Sequence, residues 1–358
     1  MKNNELIQLP AGRTYLGHRA IGKLGAEAAR VGERAFVLTD EAVWEKIGQD
    51  VETVLAQAQI SVEIFFHTRH CSPAAYEKVR AQAAAMKADV LIGIGGGHLL
   101  DTAKIASDKA GIRSITVPTS AATCAASAWL SVEYTDEGAF VGNYWTEYPP
   151  FCTIIDTDII VKKCPLRYNL AGFVDAMAKY PEIVYHLDFT DSFDRNAYSE
   201  VAVETAKQIY GFFMGHQKEL LEKFQAGAED ALVTDAVAKA ISVTGLVSAL
   251  ACGGKQAAIS HLMYSYICCY HPQVAKKYLH GEIVGASLCD QLTIDGFGQD
   301  EVEAMRGFLH EAGMPTCLRE LGLEFTPEEE ERLFEYLKPR LNVSEKEISR
   351  IKGIGVGH

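Results

Sequence analysis

The sequence predicts an α/β N-terminal domain with a parallel sheet and a Rossmann-like nucleotide site, followed by an all-α C-terminal domain. Three observations carry this. Short apolar runs alternate with helical stretches through the first 160 residues; a glycine turn joins one such run to a helix; and after about residue 163 the pattern changes to long, Ala-rich helical periodicity.

RAFVLTD (34–40), ISVEIFF (60–66), DVLIGIG (89–95) and RSITVPT (113–119) are brief, β-branched and bounded by polar, Gly or Pro residues, as strands are. Between them, EAVWEKIGQDVETVLAQAQ (41–59), SPAAYEKVRAQAAAMK (72–87) and LLDTAKIASDKAG (99–111) have helical periodicity. Strands that alternate with helices at this spacing build a parallel sheet covered by helices. LSVEY (130–134) and AFVGNYW (139–145), either side of TDEG, read as a hairpin, and TIID (153–156) as the last strand. Beyond lie NLAGFVDAMAKYPEIVYHL, DRNAYSEVAVETAKQIYGFFMGHQKELLEKF and DALVTDAVAKAISVTGLVSALA. The tail PEEEERLFEYLKPRLNVSEKEISRIKGI continues in the same helical style. The expected domains are therefore residues 1–163 and 164–358, with the cleft between them as the default ligand site.

With 358 residues, 48% of them hydrophobic, the chain can bury a sizeable core. Its net charge of −13 argues against nucleic acid and against anionic lipid as partners. The N-terminal MKNNELIQLPAGRTY lacks the apolar core of a signal peptide, and no stretch reads as long enough to span a bilayer. The nine cysteines are odd in number, scattered and without a CxxC pair, so they read as reduced thiols. A cytoplasmic homo-oligomer is the expectation.

GIGGGHLLDTAK (93–104) ends an apolar run and opens a helix. Gly95, Gly96 and Gly97 allow a close approach of the backbone, and the helix N-terminus favours a pyrophosphate. The turn departs from GxGxxG, since His98 stands where the last glycine would fall. No acid follows at the usual distance for a ribose. Asp40, after the strand RAFVLT, can supply one from the N-terminal side, and can equally cap helix 41–59.

Three residues of the helical half stand out as candidate metal ligands, although by its residues alone each histidine reads equally as a hydrogen-bonded core residue. Asp175 lies on an apolar helix face, where an unpaired carboxylate is costly. His261 lies in the apolar helix QAAISHLMYSYICC, and His280 begins HGEIVGAS. One carboxylate and two imidazoles with an open position suit a catalytic divalent ion. His67, His70, His186, His271 and His310 are expected at the surface or in packing.

Taken in order, GIGGGHLLDTAK, VPTSAATCAASAWLSVEYTDEGAF, IIDTDII, LAGFVDAMAKY and HGEIVGAS resemble the iron-containing alcohol dehydrogenase superfamily, and within it the glycerol dehydrogenase branch. The resemblance implies the dehydroquinate synthase-like two-domain fold and hydride transfer between NAD(H) and a small secondary alcohol or polyol. By it, Asp175, His261 and His280 bind the metal. Gly95, Gly96, Gly97, His98, Leu99, Asp101, Thr119, Ser120, Ala122, Leu130 and Tyr134 line the cofactor, with Asp40 on the adenosine ribose, which favours NAD over NADP. Four-ligand iron members carry a further His four residues after the aspartate; here that residue is Lys179, which implies Zn²⁺, with Fe²⁺ as the alternative.

Two positions depart from the branch. Cys124 stands where an aspartate meets the polyol, as in relatives that reduce 2-oxo acids to hydroxycarboxylates. Tyr264 stands where a second histidine faces the cleft, and offers a proton path. A hydroxycarboxylate dehydrogenase is therefore the alternative reading. Glycerol-1-phosphate dehydrogenase and a dehydroquinate-synthase-like lyase would need a cationic pocket that the sequence does not display. A non-catalytic NAD-binding protein would bind cofactor without turnover.

Overall fold

The computed structural model describes residues 9–10, 12–67, 70–190, 195–251, 254–324 and 326–341. Six parallel strands form its sheet: β1 (Thr14–Gly17), β2 (Arg34–Thr39), β3 (Ser61–Phe66), β4 (Val90–Gly95), β5 (Arg113–Pro118) and β8 (Cys152–Asp156). The spatial order is β1-β8-β5-β4-β2-β3. β6 (Leu130–Tyr134) and β7 (Phe140–Trp145) form a separate antiparallel hairpin. Only β1 has no counterpart in the sequence reading. It is a four-residue edge strand whose outer positions face solvent, so it lacks an apolar run to announce it.

Helices α1 (Leu24–Ala29), α2 (Glu41–Gln57), α3 (Pro73–Met86) and α4 (Gly97–Ala110) cover the sheet. Asp40 caps α2 by accepting from the Val43 amide at 2.8 Å, and Ser72 caps α3. Alternation along β2 splits the core: Ala35 and Val37 pack with α1 and α2, whereas Phe36 and Leu38 face α3 and α4. α4 starts two residues earlier than the sequence reading placed it, because Gly96 is the N-cap and Gly97 opens the helix.

The rest of the described chain is helical: α5 (Leu166–Phe189), α6 (Ala197–Gln225), α7 (Ala231–Ala238), α8 (Thr244–Leu250), α9 (Ile259–Tyr270), α10 (Pro272–Lys277), α11 (His280–Ile294), α12 (Gln299–Glu311) and α13 (Pro327–Leu341). The helical reading of the tail beyond residue 341 lies outside the described residues. α5 packs on α6, α9 and α11. Its core is continuous with the α3/α4 side of the sheet, so both halves share one apolar interior.

α7 and α8, joined by a π-helical turn, make a continuous stretch, Ala231–Leu250, that is long and apolar enough to cross a membrane by length and composition. This corrects the reading that no such stretch exists. Half of it is buried inside the protein. The Ile241 carbonyl accepts from Ser127 Oγ at 2.7 Å, and a β-carbon on Gly245 would sit 2.2 Å from that oxygen. Packing of this kind against the sheet-domain loop accounts for its apolar character.

Candidate active site

The strand order places a crevice where the chain reverses direction across the sheet. β2 and β4 are neighbours, but the chain leaves β2 toward β3 on one side and β4 toward β5 on the other, so a crevice opens between the connections at their carboxyl ends. The end of β2 delivers Asp40 and the end of β4 delivers the glycine turn. The strand that ends on Asp40 thus neighbours the glycine strand in space but precedes it in the chain.

A cleft of about 730 Å³ opens from this point into the helical half. Every residue that the sequence reading placed at the site lines it, Gly95 excepted. A β-carbon on Gly95 would meet the Leu99 side chain at 3.1 Å; one on Gly97 would meet Thr123 Oγ1 at 2.9 Å. One on Gly96 would meet nothing within 4 Å, because Gly96 faces the open cleft at the N-terminus of α4. These contacts call for room and not for unusual dihedrals: Gly96 has φ −82°. An exposed helix N-terminus with its backbone bared to a cavity fits a pyrophosphate.

Asp101 and Lys104 hold the neighbouring wall. Lys104, 1% exposed, donates to the carbonyls of Ala128 (2.9 Å) and Leu130 (2.6 Å) and pairs with Asp101 Oδ1 at 2.9 Å. Asp101 Oδ2 accepts from the Val132 amide at 3.1 Å. The pair therefore fastens β6, and with it Leu130 and Tyr134, to α4. Thr119, Ser120 and Ala122 line the cleft from the loop after β5.

At the inner end, Asp175 from α5, His261 from α9 and His280 from α11 bring one ligand atom each to within 4.8 Å of the others. Asp175 Oδ1 lies 2.9 Å from His261 Nε2 and 3.2 Å from His280 Nε2. Three local devices aim these groups. In α11, a β-carbon on Gly281 would sit 1.9 Å from the Ala171 carbonyl oxygen, so the first turn of α11 rests directly on α5. Glu282 accepts from the Leu279 amide at 2.8 Å and from Arg167 Nε at 2.5 Å, which fixes that turn. In α5, a β-carbon on Gly172 would sit 1.7 Å from the Ala121 carbonyl oxygen, so the helix bearing Asp175 abuts the loop after β5.

The third device is Glu182, which is fully buried two helical turns after Asp175. Its Oε1 accepts from the amides of Ala258 and His261, each at 2.8 Å, capping α9. Its Oε2 lies 2.5 Å from His261 Nδ1. That contact orients the ring and turns Nε2 toward Asp175, as carboxylates do behind metal-bound histidines.

Burial works against the charge on Asp175, but Lys179 and the donors from His261 and His280 outweigh it, holding its carboxyl well below the usual carboxylate range. Burial pushes the His280 imidazole below its ordinary value, which favours the neutral form that a metal needs. His261 is raised: burial opposes its charge, and Glu182 restores it. A cation on Nε2 competes with that proton for the same lone pair. With a buried carboxylate, two aimed imidazoles and a carboxylate behind one of them, the donor set fits a divalent metal.

Cys124 opens a 3₁₀ turn against the cleft, and burial pushes its thiol up to about 11, so it is a neutral wall. The Tyr264 ring packs edge-on to His280 with centroids 4.2 Å apart, and its hydroxyl lies 3.2 Å from that of Tyr134. Burial pushes the Tyr264 hydroxyl well above its ordinary range.

The profile of the iron-containing alcohol dehydrogenases matches residues 11–157. The glycerol dehydrogenase of Thermotoga maritima is 30% identical over 321 residues, covering 89% of this chain and 85% of its own length. The chain belongs to the iron-containing alcohol dehydrogenase family. It is an NAD-dependent oxidoreductase acting on CH–OH donors, and it is glycerol dehydrogenase-like within that family. The glycerol dehydrogenase structure from Schizosaccharomyces pombe shares the fold, with a TM-score of 0.84, 24% identity and coverage of 98% of this chain and 90% of that one. Hydroxycarboxylate dehydrogenase A of Escherichia coli is 29% identical over a shorter 262 residues, covering 73% and 70% of the two chains.

Several residues at or beside the cleft escaped the sequence reading. Glu182 was missed, although Asp175, Lys179 and Glu182 at steps of four and three mark one helix face. Lys179 was weighed only as an absent fourth ligand, yet it lines the cleft. His67 lines the outer end, and His70 lies with its Nδ1 3.2 Å from His98 Nδ1. Burial pushes the His98 imidazole down to about 4, so it is neutral beside Tyr134.

Proposed function

We propose that the chain interconverts a small secondary alcohol or polyol and its carbonyl, using NAD(H) and one Zn²⁺ held by Asp175, His261 and His280. The observation that carries this reading is the shared cleft: the three ligand atoms converge at its inner end, and the glycine turn opens its outer end. Zinc is favoured over iron because the donor set stops at three and Lys179 stands where a fourth ligand would come from. A divalent cation there supplies Lewis-acid polarisation of an alcohol or carbonyl oxygen.

The chain's own residues do the rest. Asp40 accepts from ribose hydroxyls, and the Gly96–Gly97 backbone receives the pyrophosphate. Thr119, Ser120, Ala122 and Leu130 position the nicotinamide beside the ligand triad. Cys124 closes the substrate side without adding charge. Tyr264, kept protonated by burial and bonded to Tyr134, holds a proton next to the reacting oxygen. The cleft walls exclude water around the transferred hydride.

The test is metal analysis of the purified protein together with steady-state turnover on glycerol, 1,2-propanediol, 2-oxobutyrate and 2-oxoglutarate. One zinc per chain and turnover that disappears on chelation are expected. Activity that persists in metal-free protein overturns the reading.

A further inference from the structure

We propose that Lys179 is a specificity-determining residue that receives the carboxylate of a 2-hydroxy or 2-oxo acid at the inner end of the cleft. This deepens the reading above and rests on it. Lys179 lies one turn after Asp175 on α5, is 5% exposed and lines the cleft. Its Nζ lies 3.3 Å from Asp175 Oδ1 and 2.6 Å from His261 Nε2. Those are two of the three atoms that face the metal position. A cation bound there occupies the His261 Nε2 that faces Lys179 and draws on Asp175, the carboxylate that Lys179 pairs with. A buried ammonium that shares its carboxylate with a cation needs a further acceptor.

Charge counting says where that acceptor must come from. Around the triad stand two carboxylates, Asp175 and Glu182, against a divalent cation and the Lys179 ammonium, with both imidazoles neutral as ligands. The inner site is short of one negative charge. The other carboxylates lining the cleft are committed elsewhere: Asp101 is paired with Lys104, and Asp40 caps α2 at the outer end. Cys124, also at the cleft wall, contributes an uncharged thiol in place of an acid that would neutralise Lys179 or repel an anion. A substrate carboxylate supplies that charge beside Lys179. A carboxylate on the carbon next to the carbinol meets the requirement, because the hydroxyl can take the open position of the metal while the neighbouring carboxylate reaches Lys179 on its flexible stem.

Lactate and lactamide test this, since they are nearly isosteric and differ in charge. Each is titrated into the zinc-loaded protein saturated with NADH, where no turnover occurs, and binding is followed by NADH fluorescence. kcat and KM with NAD⁺ are measured in parallel, and metal content is checked for each variant. The wild type should bind lactate at least tenfold more tightly than lactamide. Lys179→Met should erase that preference by weakening lactate alone, and Lys179→Arg should retain most of it. Equal binding of the two by the wild type overturns the assignment. So does a preference that survives in Lys179→Met, or a loss that falls equally on both ligands. An intact, Lys179-dependent lactate preference with no turnover on any alcohol would instead sink the dehydrogenase reading and leave the assignment standing.

Discussion

The two ends of the cleft are made of different material. The outer end is mostly backbone: bare glycine amides and a helix N-terminus, with one capping carboxylate beside them. The inner end is side chains, with Asp175, His261 and His280 delivered by three separate helices and braced by Glu182. The difference teaches how each end tolerates change. A backbone site fails when something is added, whereas a side-chain site fails when something is removed.

The largest effect should come from removing a ligand. His280→Ala is expected to lower metal content to near zero and turnover by on the order of 10³-fold or more, measured by metal analysis and NADH formation. Lys104→Met leaves the buried Asp101 carboxylate unpaired and β6 unfastened. It should cost about 3–5 kcal/mol of stability in a denaturant titration, and an unchanged midpoint would show that the pair is not a brace. Glu182→Gln keeps the shape but weakens the orientation of His261, so metal affinity should fall roughly 10- to 100-fold in a competition with a chelating dye. Gly96→Ala points its methyl into open space. It should leave folding unchanged and weaken NAD binding by about 1.5–3 kcal/mol through lost charge-assisted bonds, read by calorimetry. If it instead destabilised the fold and spared NAD, the contrast between the two ends would collapse. The smallest effect should come from Asp40→Ala, about 1 kcal/mol of stability through the lost cap of α2 in a denaturant titration, with a separate rise in KM for NAD⁺.

What could be read in advance follows the same division. The sheet was legible because its strands are short, apolar and punctuated, and GGG announces itself within one segment. β1 was not, because a four-residue edge strand with solvent-facing positions has no local signature. Asp175 was readable as a carboxylate on an apolar helix face, and His280 as the head of HGE. The convergence of Asp175, His261 and His280 was reachable only through family resemblance, since α5, α9 and α11 meet through tertiary packing. Glu182 had a local trace in its step from Asp175, but its role depends on α9 beginning where it does. The apolar run from Ala231 to Leu250 shows the converse: its composition alone cannot distinguish burial against Ser127 and α6 from burial in lipid.

Gly172 ties the two ends together. Because no side chain separates α5 from the Ala121 carbonyl, the spacing between the loop after β5 and the helix carrying Asp175 is backbone against backbone. Rotamers can vary elsewhere in the cleft without altering it. Under the proposed function, the gap that a hydride crosses would be gauged there by main-chain thickness, the dimension of a protein that sequence change alters least.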